Sequence, residues 1–234
     1  MDTVQSVIRL LPWLDWAALL LFFAGWGGYV WFARHLADQR PSLLASTNRI
    51  RRDWMLQVTH REVRVVDGVL LQNMSTSPSF FASTTILIIG GLLALLGSSS
   101  ASQVVSEIPF AVRTSSLVFD MKVALMLSIF VYAFFRFTWS MRQYTFGALM
   151  VASAPEASQF AEQQLSREAF AERAGRVVGL AAETFNDGLR ACYFAFAALS
   201  WFVSPVLFAV ATGGVIYVLY QREFHSDVLA VLDA

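Results

Sequence analysis

Ser128, Tyr132, Arg136 and Ser140 recur at every fourth position within the otherwise apolar stretch "SIFVYAFFRFTWSMRQ". Residues four apart are neighbours on one helix face, so this spacing predicts a stripe of hydroxyls around a guanidinium. A stripe turned to lipid would be wasted. Turned toward Tyr193, Ser200 and Ser204, it would line a hydrated path or bind an anion. A buried guanidinium needs a carboxylate, and Glu183 and Asp187 are the nearest candidates by topology. The plainer expectation is an arginine at a membrane boundary whose long stem carries its charge to the headgroups.

A second constellation centres on Asp15, between Trp13 and Trp16. As a lone carboxylate in an aromatic belt it would sit at a membrane interface. Paired with Lys122 or Arg113, it would close an outer mouth or staple two helices. In "REFHSD", His225, Ser226 and Asp227 hold the residue types of a hydrolase triad, but adjacent helical residues point in different directions and a triad is defined by spatial geometry. His35, His60 and His225 are too scattered for a metal site, and one cysteine, Cys192, excludes an internal disulfide. There is no GxxxxGK[ST], GxGxxG or HExxH motif. Neither an enzyme nor a cofactor is expected. The basic run "RIRRDWM" fits anionic lipid better than nucleic acid, since no nucleic-acid-binding fold accompanies it.

The elements that position these residues are long apolar helices. The 234 residues are 56% hydrophobic and 15% charged, with zero formal net charge and mean hydropathy +0.55; soluble domains carry about 25% charged residues. Spanning the hydrocarbon takes roughly 20 apolar residues as a helix. Four stretches qualify: about 11–33, 80–97, 118–139 and 193–220. The first is too long for a signal-peptide core, and the fourth contains Pro205, which predicts a kink.

Arginine placement predicts orientation, because cytoplasmic loops hold the excess. Residues 34–79 and 140–192 carry twelve Arg, while Arg9, Arg113, Lys122 and Arg222 fall on the opposite side, with Arg136 set apart. Both loops are therefore expected in the cytoplasm and both termini outside it, in a multi-pass protein of the inner (plasma) membrane.

The loops read as helices. Phe170, Ala174, Val177, Val178, Ala181, Phe185 and Leu189 form an apolar face that leads into the fourth span, and Ser153 with Glu156 resembles a capping box at its start. Ile50, Trp54, Met55, Val58, Val65, Val66, Val69 and Leu70 make a similar stripe broken near Gly68. The serine-rich outer connection around Pro109 reads as a loop with a short interfacial segment at Ile108 to Val112. Ala24/Gly28, Gly90/Ala94 and Ala209/Gly213 are small-xxx-small pairs suited to close helix approach. The expected fold is an all-α integral membrane protein: four transmembrane helices with long amphipathic cytoplasmic extensions.

"FFASTTILIIGGLLALLG", "AFFRFTWSMRQ", "FNDGLRACYFAFAALSWFVSP" and "VLYQREFHS", in this order, resemble domain-of-unknown-function family 599, found in bacteria and plants. The resemblance covers nearly the whole chain and implies a multi-span helical membrane protein. It implies no activity, cofactor or catalytic residue.

Two roles follow. One is a homo-oligomeric channel or transport-class protein, with a pathway near spans three and four. The other is an accessory, assembly or sensor subunit that docks a cytoplasmic protein through its loop helices. The expected partners are the lipid bilayer, further copies of the chain and a cytoplasmic protein, with no nucleic acid.

Overall fold

The computed structural model describes residues 11–37, 42–98, 115–162 and 166–232. Arg9, Arg40, Arg113 and the connection around Pro109 lie outside them. The described residues form α1 (Trp13–Ala37), α2 (Leu43–Val58), α3 (Val65–Leu96), α4 (Ser116–Ala152), α5 (Ala157–Glu162), α6 (Arg167–Leu199), α7 (Pro205–Phe224) and α8 (Asp227–Leu232). A 3₁₀ turn at Ser200–Phe202 joins α6 to α7. Among the described residues four stretches are long and apolar enough to cross a membrane: Trp13–Ala33, Val65–Leu96, Ser116–Ala152 and Pro205–Leu232.

The chain divides into two compact units: Met1–Gln39, Thr85–Tyr132 and Arg190–Arg222 form the first, and Arg40–Thr84, Ala133–Leu189 and Glu223–Ala234 the second. In the first unit Phe22 is fully buried, with ring centroids 5.7 Å from Trp26, 5.5 Å from Phe194 and 5.0 Å from Phe208. Contacts of α1 with α6 and its turn run in opposite order: Asp15 to Trp201, Phe22 to Phe194, Tyr29 to Arg190. Contacts with α7 run in the same order: Phe22 to Phe208 and Phe32 to Tyr220, while a Cβ on Gly25 would lie 2.8 Å from Ile216. The end of α6 and α7 are thus antiparallel, a helical hairpin closed by the 3₁₀ turn.

This corrects the single kinked span expected over 193–220. α6 ends at Leu199, and Pro205 opens a new helix behind Ser204, whose Oγ accepts from the Leu207 N–H at 3.0 Å. Proline at the first helical position lacks only a donor that the helix leaves orphaned anyway. Five helical segments therefore run along the first unit, and α1 starts at the opposite end from where α7 finishes.

In the second unit Met55, Val58, Leu71, Val151, Phe160, Phe170, Ala174 and Val178 form one core. Gly188 allows Phe137 to approach, since a Cβ there would lie 2.5 Å from the ring. The helix starts differ from expectation. Ser166 caps α6, its Oγ accepting from the Ala169 N–H at 3.0 Å, while Ser153 lies beyond the end of α4 and Glu156 precedes the short α5. The break in the first loop falls between Val58 and Val65, and Gly68 lies inside α3, because Thr59 caps α2 with its N–H on Leu56 and Gln57 carbonyls.

The C-terminal residues pack on α2. The Leu44 N–H donates to Glu223 Oε1 at 3.1 Å, and Arg49 Nη2 donates to the Leu232 carbonyl at 3.4 Å. Glu223 and Leu232 thus lie against α2, which belongs to the first of the two loops.

Candidate functional site

The polar residues singled out from sequence fall into separate places. In the first unit, Trp201 donates its indole N–H to Asp15 Oδ1 at 2.6 Å, and its backbone carbonyl accepts from Lys122 Nζ at 2.8 Å. The ammonium also lies 5.4 Å from the Trp201 ring centroid and 5.7 Å from that of Phe202. Asp15, Lys122 and Trp201 are all buried. Asp15 and Lys122 interact electrostatically, but Trp201 joins them; sequence reasoning missed this intermediary. Ser200 and Ser204 are used locally, Ser200 Oγ donating to the Ala197 carbonyl and Ser204 capping α7.

In the second unit Arg136 Nη2 bonds Asp187 Oδ2 in an ion pair. Ser140 Oγ donates to the Ala181 carbonyl at 2.7 Å, a buried bond across α4 and α6. Glu183 accepts from Asn48 Nδ2 at 3.1 Å and from Arg176 Nη1 at 3.4 Å. Arg51 Nη1 donates to Asn48 Oδ1 at 2.8 Å and to Thr47 Oγ1 at 3.0 Å. Burial pushes the Arg51 guanidinium below its ordinary pKa, with Tyr144 and Glu183 acting in the other direction.

The stripe from Ser128 to Ser140 is not one face. Each step of four residues turns about 40° past a full helical turn, so three steps carry it a third of the way round. Ser128 is exposed and bonds its own helix at Ala124; Tyr132 is 42% exposed with its ring edge-on to Trp26; Arg136 is partly buried; Ser140 is fully buried.

The loop arginines bind the chain's own groups. In "RIRRDWM", Arg49 and Arg51 have the partners above, and Arg52 lies 3.6 Å from Glu172. Arg64 donates to the carbonyls of Val58 at 3.2 Å, Ala154 at 2.6 Å and Pro155, while Arg167 donates to those of Thr59 and Ala157. Val58, Thr59 and Ala154 lie at or just past the C-terminal ends of α2 and α4, where open carbonyls favour positive charge, whereas Ala157 starts α5. Asp67, also missed, is buried and accepts from Trp54 Nε1 at 2.7 Å and from Arg61.

A shallow apolar groove of about 510 Å³ lies between α1 and α7, floored by Gly25, Gly28 and Gly213 and walled by Tyr29, Tyr217 and Tyr220. Among the described residues no three His, Cys, Asp or Glu converge as metal ligands, and Ser226 caps α8, its Oγ accepting from the Leu229 N–H at 3.2 Å.

The family model described as "Protein of unknown function, DUF599" matches residues 17–228. No curated protein and no solved structure matches the chain.

Proposed function

The chain belongs to the DUF599 family of proteins of unknown function, and from that premise we propose a five-pass membrane protein that presents its folded loops as a docking unit, without conducting ions. Membrane insertion is supported by the surface of the first unit, where Leu20, Phe23, Leu87, Phe196, Val206 and Val210 are 55–77% exposed. Contiguous apolar surface of this kind belongs in contact with lipid or another protein.

The fifth pass is the end of α6, flanked by α1 and α7. Ala191, Phe194, Ala195, Ala197 and Ala198 are almost fully buried there. A helix surrounded by other helices needs small packing residues more than hydropathy. With α7 as a separate pass, Arg222 joins the loop side and the positive charges divide thirteen to three. That distribution favours cytoplasmic loops, a cytoplasmic C-terminus and an N-terminus on the other side.

The observation that carries the docking role is that the segments between passes fold around a core of their own. The transport-class reading turns the stripe from Ser128 to Ser140 toward one path, with Glu183 or Asp187 as the partner of Arg136. Arg136 does pair with Asp187, but Ser128 is exposed on its own helix and Ser140 is buried against Ala181, so the stripe lines no common path.

Two measurements test the proposal. In a Cys192→Ser background, cysteines at exposed Val63 and Val231 should react with an impermeant maleimide from one side, and a cysteine at Trp13 from the other. Labelling of Val231→Cys together with Trp13→Cys would overturn the five-pass topology. Proteoliposomes should leak ions no faster than protein-free vesicles, and a protein-dependent current would overturn the non-conducting role.

A further inference from the structure

We infer that Arg222 and Tyr193 form a binding site for the phosphate of an anionic phospholipid. The inference rests on the membrane reading above. Tyr193 lies on α6 and Arg222 on α7, toward the ends of the hairpin away from its 3₁₀ turn. From Pro205 to Arg222, α7 rises about 26 Å at 1.5 Å per residue. The hydrocarbon layer is ~30 Å thick, so with the turn at one boundary the guanidinium reaches the headgroups of the other.

The pair is fixed before any ligand arrives. Arg222 Nη1 donates to Tyr193 Oη, and the guanidinium carbon lies 5.5 Å from the Tyr193 ring centroid. That bond uses one guanidinium donor and makes the tyrosine oxygen the acceptor, so the remaining guanidinium N–H groups and the Tyr193 O–H are left to donate. Arg222 is exposed, and its planar fork matches two oxygens of one phosphate. Holding the fork against the ring lowers the ordering cost of binding.

Charge and surface together select a lipid as the occupant. Arg222 makes no ion pair among the described residues. The adjacent carboxylate, Glu223, accepts from the Leu44 N–H instead. The arginines of "RIRRDWM", expected from sequence to meet anionic lipid, are held by groups of the chain itself. Apolar surface continues from Arg222 toward the turn. Val218 and Leu207 follow it at spacings of four and eleven residues, which keep to one side of α7, and are 48% and 43% exposed. Phe196, one turn along α6 from Tyr193, is 69% exposed. A soluble anion has no use for that surface, whereas a phospholipid lays its acyl chains along it with its phosphate on the cation.

The test uses the full chain in neutral detergent and counts bound lipid by native mass spectrometry. Phosphatidylglycerol should bind several-fold more tightly than phosphatidylcholine, whose choline offsets the phosphate charge. Arg222→Gln should abolish that preference. Tyr193→Phe, which keeps the ring and removes the O–H donor, should weaken phosphatidylglycerol binding several-fold, and an unchanged unfolding midpoint without lipid shows that each variant is folded. Equal binding of the two lipids by the wild type, or a preference that survives in both variants, would overturn the site. Glycerol phosphate that displaces phosphatidylglycerol at equal concentration would overturn the lipid as occupant. Carbonate extraction of the source membranes separates these failures from that of the membrane reading, since a protein released by carbonate was never inserted.

Discussion

Trp201 gives its indole proton to Asp15 at 2.6 Å, with Trp201 1% and Asp15 7% exposed. The bond ties the α6–α7 turn to the start of α1. Removing the donor leaves a buried carboxylate oxygen without its partner, at a cost of about 1–3 kcal/mol. Trp201→Phe should lower the unfolding midpoint in detergent by a corresponding amount. Asp15→Asn, which keeps an acceptor, should cost less, and the double variant should fall short of the sum of the singles.

Arg136 and Asp187 should behave as a coupled pair. Removing one partner of a fully buried pair costs about 3–5 kcal/mol, and the 29% side-chain exposure of Arg136 lowers that expectation. Arg136→Met and Asp187→Leu should each destabilise by more than half of what the Arg136→Met with Asp187→Leu double variant does. Chemical unfolding of the four proteins measures the coupling. Additive losses would show that the pair contributes nothing as a pair.

Two glycines should respond in opposite ways to the same change. Gly188→Ala forces a methyl against the Phe137 ring, and overpacking of this kind costs about 1–3 kcal/mol. Gly28→Ala adds a methyl that meets nothing within 4 Å, and should be neutral or stabilise by up to about 1 kcal/mol through helix propensity. Thermal unfolding of the two variants reads the difference.

Arg64 should resist conservative replacement. Its guanidinium reaches the carbonyls of Val58, Ala154 and Pro155 together. A lysine ammonium has donors but no planar fork. Arg64→Lys should therefore lose most of the stability lost by Arg64→Ala, read as protease sensitivity at residues 59–64 and 153–156.

Much of the helical framework was legible because it depends on runs of local composition. The start of α1 and the apolar parts of α3 and α4 follow from length and hydropathy. The α6–α7 hairpin was harder to read. Ala191, Ala195 and Ala198 give little hydropathy signal, and Ser204–Pro205 starts a helix where the sequence predicts a kink. Read as a cap followed by a first helical residue, Ser-Pro points to the separate helix α7.

By itself the sequence determined the helical class, the apolar stretches and which residues carry charge, because these depend on side-chain chemistry over one or two helical turns. Only the tertiary structure decided which charges meet. Asp15 and Trp201 are 186 positions apart, Arg136 and Asp187 51 apart, and Leu44 and Glu223 179 apart. The sequence offered both Glu183 and Asp187 to Arg136; choosing between them, and bringing Trp201 to Asp15 or Glu223 to Leu44, depends on how packed helices align, which no pattern over one or two turns encodes.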